Sequence, residues 1–168
     1  MALVRMEIHT LVVGGGPIAS LLVLRSRESQ GETPRQLPIK IGMYEASAIS
    51  MGVAEPVGER PMTHDLMQNL LQAFDATMEG VCIVDVHNTT FYAQLMLRTA
   101  GGHDLRIDCR PSDGIALAVR MDAPIYAEES VLDTASVPDF QGVAQREQDL
   151  EMERFHDFVE SLSPEDFS

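Results

Sequence analysis

Apolar residues alternate with polar ones, or run together over short stretches, at several places along the chain. This pattern predicts β-strands, because successive side chains of a strand face opposite sides of the sheet. Turn-forming residues separate the apolar stretches, as in the glycine-rich turn at Gly14–Pro17 and at His87–Thr89, where a hairpin is expected. The predicted strands are Met6–Val13, Leu21–Arg27, Leu37–Ile41, Val81–Val86, Thr90–Arg98, Asp104–Ile107 and Pro124–Ala127.

Apolar residues that recur every three or four positions predict helices between these strands. In the second predicted helix, Leu66, Leu70 and Phe74 recur at i, i+4 and i+8, with Met67 and Leu71 beside them, and this stripe is expected to face the core. Thr63 and Ser112 are expected to cap helices, because a side-chain oxygen can accept a hydrogen bond from a free N–H of the first turn. The predicted helices are Tyr44–Met51, one that begins at Thr63, Ser112–Met121, Ser130–Ala135 and Ala144–Leu162.

Strands and helices that follow one another without strict alternation predict an α+β domain, with a mixed or antiparallel sheet and helices packed on it. Residues 1–133 are expected to form this single domain, residues 134–145 a linker, and residues 146–168 an acidic C-terminal helix and tail. One side of that amphipathic helix is apolar, which predicts docking on the same subunit or in a homo-oligomer. The residues of this side are Phe155, Phe158, Val159 and Leu162.

The composition is that of a globular protein, since 45% of the 168 residues are apolar. No apolar stretch reaches the roughly 18 residues that a membrane span needs, and no secretory signal is recognised. The two cysteines, Cys82 and Cys109, lie far apart in predicted strand regions and are expected to be buried free thiols. These features predict a cytoplasmic protein with no membrane partner.

Negative charge is concentrated towards the end of the chain. Residues 127–168 carry 12 of the 26 acidic residues but two of the 12 basic ones, in a chain of net charge −14. The preceding residues are mildly acidic and have no basic stripe of the kind that nucleic-acid-binding proteins show. A nucleic-acid partner would therefore have to be held by a few local contacts together with a divalent cation.

The sequence GGGPIA at residues 14–19 satisfies a glycine pattern found in dinucleotide-binding folds. Such a site needs a helix directly after the glycines, within a strand–helix–strand unit. The apolar stretch LLVLRSR that follows predicts a second strand instead. A dinucleotide site is therefore not expected here.

Charged residues cluster where the strand Asp104–Ile107 leads into the predicted helix Ser112–Met121. Asp108 and Asp113 flank Arg110 there, next to helix N–H groups that can bind an anion. One interpretation is that the carboxylates hold Mg²⁺ or Mn²⁺ while Arg110 binds a phosphate oxygen. The other is a structural ion-pair cluster, in which Asp113 stabilises the start of the helix.

Two other segments offer candidate groups. His64 stands beside Asp65 at a predicted helix start and could carry a proton or bind a metal, because histidine titrates near neutral pH. The alternative is a partly exposed residue in the first helical turn. Glu45 would supply a third carboxylate to a metal, or it is an exposed residue of a surface helix.

Four ordered motifs and the end of the chain resemble the bifunctional nuclease family of small domains. The motifs are LPIKIGMYEASAI, RPMTHDLMQNLL, TFYAQLMLR and IDCRPSDGIALAVRMDAPIY, and the chain end carries RFHDFVESL and SPEDF. The similarity is strong from Leu37 to about Leu132. The sequence departs from the family pattern at Cys109 and Gly114, where alanines are expected. The family's motif residues are Glu45, Arg60, His64, Asp65, Asp108, Arg110, Ser112 and Asp113.

The resemblance implies a nuclease, because the family takes its name from members that degrade both RNA and DNA, although many members have no assigned reaction. Metal-assisted hydrolysis of phosphodiester bonds is therefore the leading hypothesis. The alternatives are a non-catalytic binding or assembly module, whose charged residues form structural ion pairs, and a small-molecule phosphate binder. In the leading hypothesis Glu45, Asp108 and Asp113 bind the metal, Arg60, Arg110 and Ser112 bind the substrate, His64 carries the proton, and Asp65 orients His64.

Overall fold

Seven β-strands and four α-helices make up the part of the chain that the structure, a computed structural model, describes: residues 2–15, 18–27, 34–54 and 60–137. The strands are β1 Leu3–Val12, β2 Ser20–Ser26, β3 Gln36–Ile41, β4 Thr77–His87, β5 Thr90–Arg98, β6 Asp104–Cys109 and β7 Ile125–Glu128. The helices are α1 Met43–Val53, α2 Thr63–Ala73, α3 Pro111–Arg120 and α4 Glu129–Ala135.

The strands form one mixed sheet in the order β3-β2-β1-β7-β4-β5-β6. All neighbouring strands are antiparallel except β4 and β7, which are parallel. The α+β prediction is therefore confirmed. The glycine-rich segment joins β1 to the antiparallel β2, so it is not followed by the helix that a dinucleotide site requires.

The hydrophobic core lies on one face of the sheet, to which alternate residues of each strand point. On β5 these residues are Ala93, Leu95 and Leu97, none of them more than 5% exposed. Buried residues of α1, α3 and α4 belong to the same core, and α3 has seven of its ten residues buried. Helix α3 is therefore fixed firmly against the sheet, which holds its N-terminus in one place.

Helix α2 buries part of its predicted apolar stripe. Leu66, Leu70 and Phe74 are 51%, 47% and 75% exposed, so the expectation that they face the core was wrong. Met67 and Leu71, the other row of the predicted stripe, do pack against the core. Apolar residues occupy two adjacent rows of this helix, and its position at the border of the core leaves room for one of them.

Both predicted N-cap residues lie inside their helices. The N-cap of α2 is Met62, whose backbone N–H donates to Oδ2 of Asp65 at 2.8 Å, and Thr63 is the first helical residue. The N-cap of α3 is Arg110, followed by Pro111, whose fixed φ suits the first position of a helix. Ser112 is therefore buried in the first turn, 5% exposed, and does not cap it.

The compact unit that contains the sheet runs from Met1 to Val137, and Pro138–Ser168 form a second unit. Helix α4 ends at Ala135, and Val137 pairs with Gln36, so this unit extends a few residues past the predicted boundary at 133. The predicted acidic helix and tail, residues 146–168, lie outside the described residues. Within the described ranges no helix is long and apolar enough to cross a membrane.

Candidate active site

Arg110 is the centre of a charged cluster at the N-terminus of α3. Its Nε donates to Oδ2 of Asp113 at 2.7 Å, and its Nη2 donates to Oδ1 of the same carboxylate at 3.1 Å. Its Nη1 donates to Oε1 of Glu45, in the first turn of α1, at 2.9 Å. Arg110 thus connects two helix N-termini, while 65% of its side chain remains exposed.

Asp113 also contacts His64 from α2. Nε2 of His64 lies 3.3 Å from Oδ1 of Asp113, and the two side chains are 13% and 28% exposed. Burial alone would raise the pKa of Asp113, but hydrogen bonds from Arg110 and His64 outweigh it, so this pKa lies below its ordinary value. Asp113 is therefore an ionised carboxylate that holds the imidazole of His64 from one side.

Asp65 does not orient His64 as the sequence suggested. Its Oδ1 accepts from Nε of Arg120 at 2.7 Å, and Arg120 also donates to the carbonyl oxygens of Ala48 and Ala116 at 2.8 Å. The hydrogen bond from Arg120, and then that from the Met62 N–H, lowers the pKa of Asp65.

Arg120 therefore ties α1, α2 and α3 together behind the cluster, with 6% of its side chain exposed. This role could not be predicted from the sequence, because a basic residue in the last turn of a helix is a common feature of helix ends. Its partner Asp65 supports the scaffold rather than His64, whose carboxylate partner is Asp113.

Asp108 lies apart from the other candidates. It pairs with Gln94 on β5, whereas its neighbour Cys109 pairs with the buried Ala93 and faces α3. Because side chains alternate along a strand, Asp108 extends from the face of the sheet opposite to α3. Among the described residues it makes no hydrogen bond or ion pair with the Arg110 cluster.

The carboxylates are not arranged to receive a divalent cation. A Mg²⁺ or Mn²⁺ site needs several oxygen ligands around one point, and no group of three or more potential ligand residues that could hold a metal is found in the described ranges. Glu45 and Asp113 each bind the guanidinium of Arg110, which occupies the place that a cation would take. Together with Asp108, which lies on the other face of the sheet, they do not form a ready-made metal site.

The remaining candidates differ in their surroundings. Arg60 is exposed and makes no hydrogen bond or ion pair with the part of the chain that the structure describes. Ser112 is buried at the base of a cleft beside Arg110. Cys109 is a poor nucleophile, because burial raises the pKa of its thiol to about 11 and keeps it protonated at neutral pH.

Two clefts meet at Arg110. The larger, of about 460 Å³, contains His64 and Asp113 and is otherwise walled mainly by α1. The smaller, of about 260 Å³, contains Lys40 and Ser112. Arg110 and Glu45 line both, so a ligand that occupies either cleft meets the same guanidinium.

Comparison with known proteins agrees with the motifs noted above. Residues 22–139 match the family described as "Bifunctional nuclease domain", which covers more than half of the chain. Two proteins of Mycobacterium tuberculosis, each named "Uncharacterized protein", are 42% identical over 154 residues. They are MT1877 from strain CDC 1551 / Oshkosh and Rv1829 from strain ATCC 25618 / H37Rv. The alignment covers 86% of this chain and 87% of each relative.

Proposed function

Since the chain belongs to the bifunctional nuclease family, we propose that it hydrolyses phosphodiester bonds of RNA or DNA in the cleft that contains His64. The observation that carries this proposal is the His64–Asp113 pair beside the exposed guanidinium of Arg110. Hydrolysis of a phosphodiester needs a proton acceptor for water, a proton donor for the leaving oxygen, and positive charge on the phosphate. His64 takes a proton from the attacking water as the new P–O bond forms and returns it to the leaving oxygen as the old P–O bond breaks. Arg110 supplies the positive charge, and Asp113 orients His64.

Arg110 is the phosphate ligand in this proposal. A guanidinium has five N–H groups, and Asp113 and Glu45 accept three of them. The two that remain, on Nη1 and Nη2, are available to a phosphate oxygen without loss of the existing bonds. The two carboxylates fix the orientation of the guanidinium, which reduces the entropy lost when it binds the substrate.

His64 is the proton carrier. Its contact with Asp113 fixes the ring orientation and stabilises the protonated form that arises during transfer, as a carboxylate does in other histidine–aspartate pairs. Histidine is suited to this role because it exchanges protons near neutral pH. The role predicted for Asp65, that of orienting the ring, is assigned to Asp113.

No step of the reaction is assigned to a metal, because Glu45, Asp108 and Asp113 do not converge on one point and the described residues contain no other group of metal ligands. The assignment of Mg²⁺ or Mn²⁺ to Glu45, Asp108 and Asp113 stays a prediction for experiment. Arg60 stays a predicted substrate ligand at the rim of the site. We place the reaction in the cytoplasm, which suits the two free cysteines.

The test uses the purified full chain with single-stranded RNA and with single-stranded DNA, in Mg²⁺, in Mn²⁺ and in EDTA. The proposal is supported if Asp113→Asn reduces the cleavage rate by about 10²-fold or more, which is the lower range for loss of acid–base catalysis. Cleavage that survives both Asp113→Asn and Arg110→Gln contradicts it. Nucleotides that raise the melting temperature without being cleaved would favour the small-molecule phosphate binder instead.

A second candidate function, assembly without catalysis, is favoured by the exposed stripe on α2 formed by Leu66, Leu70 and Phe74. The segment Leu66–Phe74 contains no charged residue, although the chain carries a net charge of −14. A second copy of this chain can therefore approach this helix without local repulsion between like charges. Two such helices can pack against each other around a twofold axis.

Light scattering after gel filtration tests the assembly candidate. The wild type is expected to be a dimer and Leu70→Glu a monomer, because a buried unpaired charge prevents association. Leu105→Glu is the control, since Leu105 is 44% exposed on β6, outside the stripe, and the variant is expected to remain a dimer. A monomeric wild type would rule out this interface. The same mass for the wild type, Leu70→Glu and Leu105→Glu would also rule it out.

A further inference from the structure

Lys40 is the single lysine in the sequence, and it lies in the smaller of the two clefts. It is the fifth residue of β3, next to the start of α1, and its side chain is exposed. It makes no hydrogen bond or ion pair with the described residues. In the part of the chain that the structure describes, an ammonium group without an ion-pair partner thus lies beside the proposed catalytic cleft.

Ser112 faces the same cleft from α3. The residue is 5% exposed, yet its hydroxyl has no hydrogen-bond partner within the ranges that the structure describes. No buried side-chain nitrogen or oxygen of the described residues lacks a partner, so this hydroxyl must reach the surface of the cleft, where water or a ligand can satisfy it. Its place in the lining makes the hydroxyl available to a bound molecule.

The remaining lining favours an anion. Helices α1 and α3 both begin at the cleft, with N-caps Gly42 and Arg110, and the free N–H groups of a helix N-terminus attract negative charge. Thr89 and Thr90 line the opposite side with hydroxyl groups. Glu45 is the one carboxylate among the described lining residues, and it is compensated because Arg110 binds it.

We propose that this cleft, lined by Lys40, Ser112 and Arg110, binds a backbone phosphate of the nucleic acid next to the one that is cleaved. Arg110 lines both clefts, so neighbouring phosphates of one strand would lie on either side of its guanidinium. The inference rests on the proposed function for the identity of its ligand. It deepens that function, because the substrate becomes an oligonucleotide rather than a single phosphodiester.

Selective acylation tests the cleft directly, since Lys40 and the N-terminal amine are the aliphatic amines of this chain. The full chain is treated with an acetylating reagent, with and without a single-stranded oligonucleotide in EDTA, and peptides are quantified by mass spectrometry. We expect the oligonucleotide to slow acetylation of Lys40 severalfold, while the N-terminal amine reacts at an unchanged rate. Equal rates at Lys40 with and without oligonucleotide would overturn the proposal. A parallel arm with inorganic phosphate separates recognition of free phosphate from recognition of a strand.

Salt dependence of oligonucleotide binding gives a second readout. Each phosphate contact in a single strand contributes about 0.7 to the slope of log Kd against log salt. Lys40→Gln is expected to reduce that slope by about this amount. Arg106→Gln is the matched control, because Arg106 is an exposed cation on β6 that lines neither cleft, and it should leave the slope unchanged. Equal slopes for wild type and Lys40→Gln would contradict the proposal.

The two proposals fail separately. If the oligonucleotide protects Lys40 but the protein cleaves no nucleic acid, the phosphate-binding proposal stands and the nuclease proposal is wrong. Cleavage that depends on His64, without protection of Lys40, would retain the nuclease and reject this second phosphate site.

Discussion

The guanidinium of Arg110 binds the carboxylate of Asp113 through two hydrogen bonds, Nε to Oδ2 at 2.7 Å and Nη2 to Oδ1 at 3.1 Å. The two residues are three positions apart, one at the N-cap of α3 and the other in its first turn. Paired N–H···O bonds of this kind fix geometry as well as adding free energy. The position of His64, which contacts the same carboxylate, therefore depends on how α3 begins.

The first prediction concerns acid stability. In the folded chain the pKa of Asp113 lies below its ordinary 3.8, because hydrogen bonds from Arg110 and His64 outweigh the effect of burial. The ionised carboxylate therefore stabilises the fold fully at pH values above the ordinary pKa of 3.8. This contribution is lost as the pH falls through the lowered pKa of the folded state. Asp113→Asn should lower the free energy of unfolding by about 1–2 kcal/mol at pH 7.

Urea unfolding of both proteins from pH 7 to pH 2 checks this prediction. The difference between wild type and Asp113→Asn should shrink below pH 4. Asp104→Asn, which removes an exposed partner of Arg98, should show a smaller difference at pH 7. A difference between wild type and Asp113→Asn that stays constant down to pH 2 would contradict the account.

A second prediction concerns the buried arginine behind the site. Arg120 is 6% exposed and donates to Asp65 and to two backbone carbonyl oxygens. Arg120→Met should lower the free energy of unfolding by about 2–3 kcal/mol. That is below the usual range for a buried pair, because Asp65 is 39% exposed and water can solvate its carboxylate.

Denaturant unfolding measures this effect, with Arg98→Met as the control for an exposed ion pair on β5. If the two variants are equally stable, Arg120 does not tie the helices together. The free energy of unfolding of Asp65→Asn should lie between those of Arg120→Met and the wild type, because the amide oxygen still accepts a hydrogen bond from Arg120.

The third prediction concerns Cys109 and Gly114, the two positions where the family resemblance led us to expect alanine. An alanine Cβ at Gly114 would lie 2.6 Å from Cγ2 of Val81 and 3.0 Å from Sγ of Cys109. The larger side chain at 109 thus occupies space that a methyl group at 114 would need. Gly114→Ala should lower the free energy of unfolding by about 1–3 kcal/mol through overpacking, although alanine favours helix over glycine.

Adding Cys109→Ala should restore part of that loss. A double-mutant cycle by urea unfolding is expected to give a favourable coupling of about 0.5–2 kcal/mol between the two substitutions. Strictly additive effects would show that the cysteine and the glycine do not compensate each other.

The sequence predicted every strand and helix of the described ranges, with ends that differ by a few residues. Periodicity is strong in these segments, and turn residues separate them clearly. Periodicity could not show which of two adjacent apolar rows of α2 is buried. Leu66, Leu70 and Phe74 match a core stripe as well as Met67 and Leu71 do, and packing against the neighbouring elements decides between them.

The site was predicted in part. The sequence placed Arg110 and Asp113 together because they are neighbours in the chain. Residue chemistry also named Glu45 and His64 as candidates, and the family resemblance joined them to the same site. The sequence did not show on which face of the sheet Asp108 lies, because that depends on the register of β6 against β5. It missed Lys40 altogether, since the approach of β3 to the start of α3 is a long-range contact that no local pattern reveals.

The most direct test of the central claim is the rate of strand cleavage by His64→Asn under single-turnover conditions. We predict a loss of about 10²–10⁴-fold relative to the wild type, the range for removal of a general acid–base group. His103→Asn, which removes an exposed histidine from the turn between β5 and β6, should cleave at the wild-type rate. Equal rates for His64→Asn and the wild type would contradict the assignment of the active site to the cleft of His64, Arg110 and Asp113.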